Sequence, residues 1–427
     1  MISVQMNIRC RYIFLAAGFL LPAVFLLPAV SAASKSERLS WEQSVREAAQ
    51  NNPDLAAARE SVNKARAQYQ GSYSPLLPQV SADAGYTDSK STSRSQEYTA
   101  GLSAKQTIFS GFKNEAGVQK SQADLEAAEA NLTVVKAQLS FDLKNAFADM
   151  LFAEEQAELV EAIASRRQEN VRMIELRYEG GTEPKGSYLR SRAQYRQAGF
   201  EVSQAERALR VGQRRLARVL GRSETEPIFV GNLEVVSPDN SPDFRALALE
   251  TPVRLEAAAQ ARSAKAGVAV ARSELFPDVS LAGSIGRQGD KWPPQRDAWS
   301  AGVVVSYPFW PGGKNLFDVK SARAEERRTK QVLRSTEDQT VLDLEQAFAA
   351  FQDAAQRVAV QKEFLAAAQV RAEIARGQYS LGLISFQDWD TIENDLISNQ
   401  KTMLSNLRDA LIAEAAWERI QGKGAIP

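Results

Sequence analysis

The chain has 427 residues, 24% of them charged, with 52 Lys and Arg set against 52 Asp and Glu. It contains no histidine and one cysteine, which excludes imidazole metal sites, Ser-His-Asp chemistry and an intrachain disulfide. The charge balance argues against a nucleic-acid partner, and no constellation of residues points to an enzyme, a cofactor or a metal site.

The first segment reads as a signal peptide over 1–32. Arg9 and Arg11 precede an apolar run from Ile13 to Leu27, and Val30-Ser31-Ala32 supplies small residues for a cut after Ala32 or Ala33. The competing reading is an N-terminal anchor helix, for which the apolar core is short. Cys10 lies ahead of that core, on the wrong side for lipid attachment. Removing the leader takes away two arginines and leaves 50 basic against 52 acidic residues. No later run of about 18 apolar residues occurs, so a membrane span has to be built from strands.

The remainder is a duplication at an offset of about 200 residues. Asn52-Pro53 pairs with Thr251-Pro252, Leu77-Pro78 with Phe276-Pro277, Phe109 to Asn114 with Phe309 to Asn315, and Arg177-Tyr178-Glu179-Gly180-Gly181 with Gln378-Tyr379-Ser380-Leu381-Gly382. Repeat 1 spans 33–222, a connector 223–241, repeat 2 242–421, and a short tail 422–427. Each repeat predicts a helix (53–70; 252–273), two strands (about 79–88 and 98–109; about 278–287 and 298–309), a long helix (113–178; 314–379) and a returning helix (184–220; 386–420). In the second long helix Val341, Leu344, Phe348, Phe351, Ala355, Val358 and Leu365 keep a heptad seam, which implies a rod of roughly 100 Å supercoiled against its neighbours.

The predicted strands alternate. Val80, Ala82, Ala84 and Tyr86 fall on one face and Ser81, Asp83, Gly85 and Thr87 on the other; Trp299, Ala301, Val303 and Val305 alternate likewise with Ser300, Gly302, Val304 and Ser306. The strands have membrane-crossing length, with Tyr86, Tyr98, Trp299, Tyr307, Phe309 and Trp310 at their ends as in interface girdles. The hairpin loops, Ser89 to Glu97 and Gln288 to Asp297, are polar. A soluble sheet with one buried face is the plainer reading of any one strand; four together favour a barrel wall. Four strands cannot close a barrel, so their open edges must pair with other copies of the chain. Gly312-Gly313-Lys314 lacks the spacing of a phosphate loop and reads as a strand-to-helix turn, and the arginines from Arg207 to Arg218 read as a solvated or interhelical face.

From Leu39 to Gly422 this arrangement resembles the TolC-like outer-membrane efflux protein family. The marks are the repeated Leu-Pro or Phe-Pro strand entry, Phe-Ser-Gly-Phe-Lys-Asn at Phe109 to Asn114, and Tyr-Ser-Leu-Gly-Leu-Ile-Ser at Tyr379 to Ser385. The resemblance implies a mixed α and β membrane protein: a homotrimer whose outer-membrane β-barrel, four strands per chain, continues into a long periplasmic α-helical coiled-coil barrel. It implies a passive exit duct for tripartite efflux or type I secretion. The partners would be outer-membrane lipid, a periplasmic adaptor and an inner-membrane pump of the RND or ABC type. Hairpin tips fall at Gly180, Gly181 and Gly382, a latch tyrosine at Tyr379, and a pore-constriction acid at Asp388. The family's second acid corresponds to Thr391, with Asp390 adjacent; its latch arginine corresponds to Ile384, and Ser187 stands where an aspartate occurs in one member type. The alternative function is a periplasmic coiled-coil tether without a pore, which has no need of four alternating strands.

Overall fold

The computed structural model describes residues 38–90, 94–223, 228–237 and 242–427. The predicted leader with Cys10, the loop 91–93 and parts of the connector lie outside the described residues.

Local signals start the helices. A first helix, α1 (Trp41–Asn51), has a capping box: Ser40 Oγ accepts from the Gln43 amide, and Gln43 Oε1 accepts from the Ser40 amide. In α2 (Pro53–Gly71) the Asn52 Oδ1 accepts from the amides of Asp54 and Leu55, while Pro53 has no N–H to satisfy. Strands β1 (Gln79–Lys90) and β2 (Arg94–Phe109) follow, then α3 (Lys113–Glu179) and α4 (Lys185–Leu220). The second half runs α5 (Phe244–Glu250), α6 (Pro252–Ser273), β3 (Asp278–Gly289), β4 (Arg296–Ser306), α7 (Lys314–Ser380) and α8 (Phe386–Ile420). Helix α5 has only 7 residues, too few for periodicity to reveal.

The rods α3 and α7 have 67 residues each, about 100 Å at 1.5 Å per residue. Helix α3 packs against α2, α4, α6 and α8, and α7 against α6 and α8. From flank to flank the helices therefore follow the order α4, α3, α8, α7 at the hairpin end and α2, α3, α6, α7 toward the sheet. The α7 seam buries Leu344, Phe348 and Phe351 as its period requires, then drifts. Ala354 is buried where Ala355 was expected, and Ala355, Val358 and Leu365 are half-buried. A straight helix slips about 20° per heptad against a 3.5 repeat, and the seam follows that slip.

The main apolar core joins α1, α2, α3 and α4 through Ala48, Leu55, Leu143, Phe147, Met150, Leu216 and Leu220. Two segments expected to be a plain connector and tail complete it. Ile228 and Val230 of the connector are buried, Leu39 forms a parallel bridge with Val230, and the Val230 amide donates to Glu154 Oε1 at 2.9 Å. Ile426 of the tail is buried too, and its amide donates to Ser140 Oγ at 3.0 Å.

The four strands form one antiparallel sheet in chain order, β1-β2-β3-β4. Its register keeps the faces separate: Ala82 pairs with Leu102, Leu102 with Ile285, and Ile285 with Trp299. Directly opposed residues share a face, so Val80, Leu102, Leu281, Ile285 and Val303 lie on one side. Serines occupy the other, where Ser81 and Ser103 hydroxyls meet at 2.7 Å and those of Ser284 and Ser300 at 2.9 Å. On this second face a Cβ at Gly286 would stand 2.6 Å from Ala100 O, and one at Gly101 2.8 Å from Ile285 O. The backbones approach too closely there for any side chain. Pairing extends beyond the predicted strands, with Lys90 opposite Arg94 and Gln288 opposite Arg296, because backbone hydrogen bonding continues past the apolar alternation. At the other end β4 stops at Ser306 rather than running to 309, since Pro308 has no N–H to donate. Strand β2 reaches Phe109 through a register shift after Thr107.

Candidate functional site

Two regions carry chemistry: the sheet and the tips of the two helical hairpins. Along β4 the aromatic residues fall at both ends of the apolar face. Trp299 is near the β3-β4 hairpin, and Tyr307, Phe309 and Trp310 follow the strand at its helix end. Eight residues from Trp299 to Tyr307 span about 26 Å along an extended strand, which at a barrel tilt of about 40° rises about 20 Å, most of the apolar height of a membrane barrel. Tyr86 and Tyr98 are opposed, with their rings tilted and centroids 4.7 Å apart, and Trp292, not singled out by strand periodicity, lies 6.3 Å from Tyr98. No helix among the described residues is long and apolar enough to cross a membrane.

The tips are built on glycine. Gly181 and Gly382 take φ of 73° and 74°, a left-handed conformation that glycine reaches without a Cβ penalty. Gly180 caps α3 with an ordinary φ of −75°. Tyr379, at the end of α7, is buried and stacks on Trp389 of α8 with centroids 4.6 Å apart. Its hydroxyl donates to Glu183 Oε1 in the α3-α4 turn at 2.7 Å. Burial first, then this bond and the Glu183 charge, pushes the phenol well above its usual range. Arg177 of α3 covers the Tyr379 ring at 4.6 Å and donates to Ser380 O at 2.8 Å. An arginine of the first hairpin thus covers the tyrosine of the second, and Ile384 packs against the Tyr379 cluster. The first repeat has a matching stack: Tyr178 lies on Tyr188 at 5.7 Å, and Tyr188 donates to Glu175 at 2.7 Å. In both halves the stacking partner stands ten residues after the tip tyrosine.

Asp388 and Asp390 part company. Asp388 is exposed; its amide donates to Ser385 Oγ at 3.1 Å, and Ser385 Oγ donates to Asp388 Oδ2 at 2.6 Å. Asp390, the other constriction candidate, is only 1% exposed. Residues two apart on a helix point to different sides, and Asp390 points into the chain. There it pairs with Arg190 at 2.9 Å and Arg167 at 3.5 Å and accepts from Gln194 at 2.8 Å. Burial pulls the Arg167 guanidinium below its usual range, against the opposing pull of Asp390 and Glu393. Glu393, one turn further along α8, lies 3.4 Å from Arg166 and 3.8 Å from Arg376. These two buried acids connect α8 with α3, α4 and α7. Sequence periodicity gives no sign of Arg167, Arg177, Glu183 or Arg190, because their partners are far away in the chain.

The family model described as "Outer membrane efflux protein" matches residues 44–222 and again 245–423. The chain belongs to that family. The double match follows the two halves of the fold. The function of this family member is accordingly export through the outer membrane, where it is located with a periplasmic extension. The chain is 24% identical over 376 residues to the probable outer membrane lipoprotein SilC of Salmonella typhimurium, covering 84% of this chain and 80% of that one. It is likewise 24% identical to the cation efflux system protein CusC of Escherichia coli K12, covering 84% and 81%. The fold superimposes on the crystal structure of the outer membrane protein VceC from Vibrio cholerae with a TM-score of 0.78 at 22% identity, covering 89% of this chain and 95% of that one.

Proposed function

We propose that three copies of this outer membrane efflux protein close into a passive duct, with a twelve-stranded barrel in the membrane and a helical tunnel in the periplasm. The observation that carries this reading is a sheet with one apolar face, one serine- and glycine-rich face, and two edges that no strand among the described residues pairs. A lone sheet of this kind would leave β1 and β4 with unsatisfied backbone groups, which a hydrocarbon environment does not tolerate. The helices have the same asymmetry. One flank of the chain presents β1, α2 and α4; the other presents β4 and α7. Two different flanks meeting head to tail generate a ring. Exposed apolar side chains support the meeting, with Leu189, Phe200 and Val211 on α4 and Val360, Phe364 and Ile374 on α7. So does charge, since exposed Arg207, Arg210 and Arg214 on α4 are opposite in sign to exposed Glu345, Asp353 and Glu363 on α7. A tether without a pore gives no reason for the sheet's serine- and glycine-rich face.

The duct receives cargo at the hairpin tips from a periplasmic adaptor and an inner-membrane pump of the RND or ABC type, which supplies the energy. Tyr379 and its partners hold the tips together, and Asp388 lines the narrow end. Conductance of the purified protein across planar lipid bilayers tests the reading. Discrete steps are expected from a heat-sensitive trimer; a monodisperse, β-rich monomer without conductance overturns it.

A further inference from the structure

One feature of the sheet is unrelated to carrying cargo. On the apolar face, beside the β3-β4 hairpin, a pocket of about 670 Å³ opens among Ile285, Trp292 and Trp299, with Arg287 and Asp297 at its margin. Arg287 and Asp297 are directly opposed, so both project from the apolar face. An ion pair on a lipid-facing surface is costly near the midplane and tolerated at headgroup level, and this pair sits at the level of Tyr86, Tyr98 and Trp299. Its geometry leaves donors free. Arg287 gives only its Nε–H to Asp297 Oδ1, at 3.0 Å, and among the described residues its two Nη amines have no protein partner. The helices attach at the opposite end of the sheet, so with the helical body in the periplasm this hairpin end is in the outer leaflet.

We propose that the pocket binds the phosphorylated sugar headgroup of an acylated glycolipid of the outer leaflet. The Arg287 Nη amines take the phosphate as a charge-assisted fork. The free Asp297 oxygen takes the divalent cation or ammonium group that accompanies such a phosphate. Trp292 and Trp299 flank the junction of headgroup and acyl chains, where an indole can keep its ring in hydrocarbon and its N–H in the polar layer. The site rests on the reading of the apolar face as the membrane wall.

The test is native mass spectrometry of the full-length protein in detergent with bisphosphorylated lipid A, with the same lipid stripped of both phosphates, and with lipid A plus a large excess of inorganic phosphate. Wild type and Arg328→Gln, a change on the distant α7, are expected to retain lipid A equally. Arg287→Gln should retain about tenfold less, as for the loss of one charge-assisted contact, and Trp292→Ala should also retain less. Trp292→Ala lies in the loop and decides the matter if Arg287→Gln does not assemble. Undiminished retention by the assembled variants overturns the proposal, as does equal retention of the stripped lipid. Displacement by inorganic phosphate would mark a small-anion site instead. Bilayer conductance separates the two readings: a conducting wild type that retains no lipid A refutes the site alone, whereas a wild type that never enters the bilayer refutes the wall.

Discussion

The Tyr379 hydroxyl reaches Glu183 Oε1 at 2.7 Å across 196 residues of sequence. It joins the end of α7 to the turn between α3 and α4, so a single bond spans both hairpins at their tips. A hydrogen bond to a charged group contributes about 1.5–3 kcal/mol. Tyr379→Phe keeps the stack on Trp389 and removes only this bond. The fraction of open channels is expected to rise about tenfold in single-channel records, and Glu183→Gln should raise it less. Open probabilities equal to wild type in both variants would show that tip opening does not break this link.

Asp388 is expected to act on ions as well as on its helix. Asp388→Asn removes its charge and keeps its Ser385 partner, so assembly should be unchanged while cation preference falls. Reversal potentials under a salt gradient measure this. A permeability ratio equal to wild type leaves Asp388 with its helix-capping role alone. Variants at Asp390 should leave ion selectivity unaltered, since that carboxylate is enclosed by Arg167, Arg190 and Gln194.

Asp390 is instead expected to matter for stability. Asp390→Asn leaves Arg167 buried with its nearest counter-charge gone, at a cost of about 3–5 kcal/mol. Asp390→Leu combined with Arg167→Met removes both charges and should cost less than the single change. Thermal melts in detergent compare the two, and a double variant that melts below Asp390→Asn contradicts the account.

The faces of β4 make a further prediction. Val303→Arg and Val305→Arg place a guanidinium on the apolar face, at about 2–4 kcal/mol for Val303 near the membrane midplane and less for Val305, which is closer to the interface. Ser300→Arg places it on the serine face. Membrane yield should fall for the first two and hold for the third; equal yields for all three would invert or abolish the assignment.

Glu154 gives a pH dependence. Burial raises its pKa, against the lowering effect of the Val230 amide bond. A raised acid favours its protonated form, so its stabilisation is full below the unfolded value, near 4.5, and is lost as pH rises through the folded value. Glu154→Gln keeps an acceptor for Val230 without the charge. It should melt above wild type at pH 7 by about a few degrees, with the difference vanishing toward pH 4. A constant difference across that range would show that the Glu154 charge is not the cause.

Sequence alone determined the repeated order of helices and strands, the two faces of each strand and the glycine tips. These depend on periods of two and about 3.5 residues and on residues such as Pro53, Pro277 and Gly181, whose effects act within a turn or two of their own position. The family resemblance also singled out Tyr379, inside the motif from Tyr379 to Ser385, and Asp388, three residues beyond it. Only the tertiary structure decided that Asp390 is enclosed, that Arg177 and Glu183 serve Tyr379, and that Val230 and Ile426 complete the core. Each of these depends on which face a long helix turns toward a segment distant in the chain. A slip of about 20° per heptad accumulates to roughly half a turn along rods of this length. Which side chains meet across the rods is therefore set by packing along their whole length, and no local pattern records it.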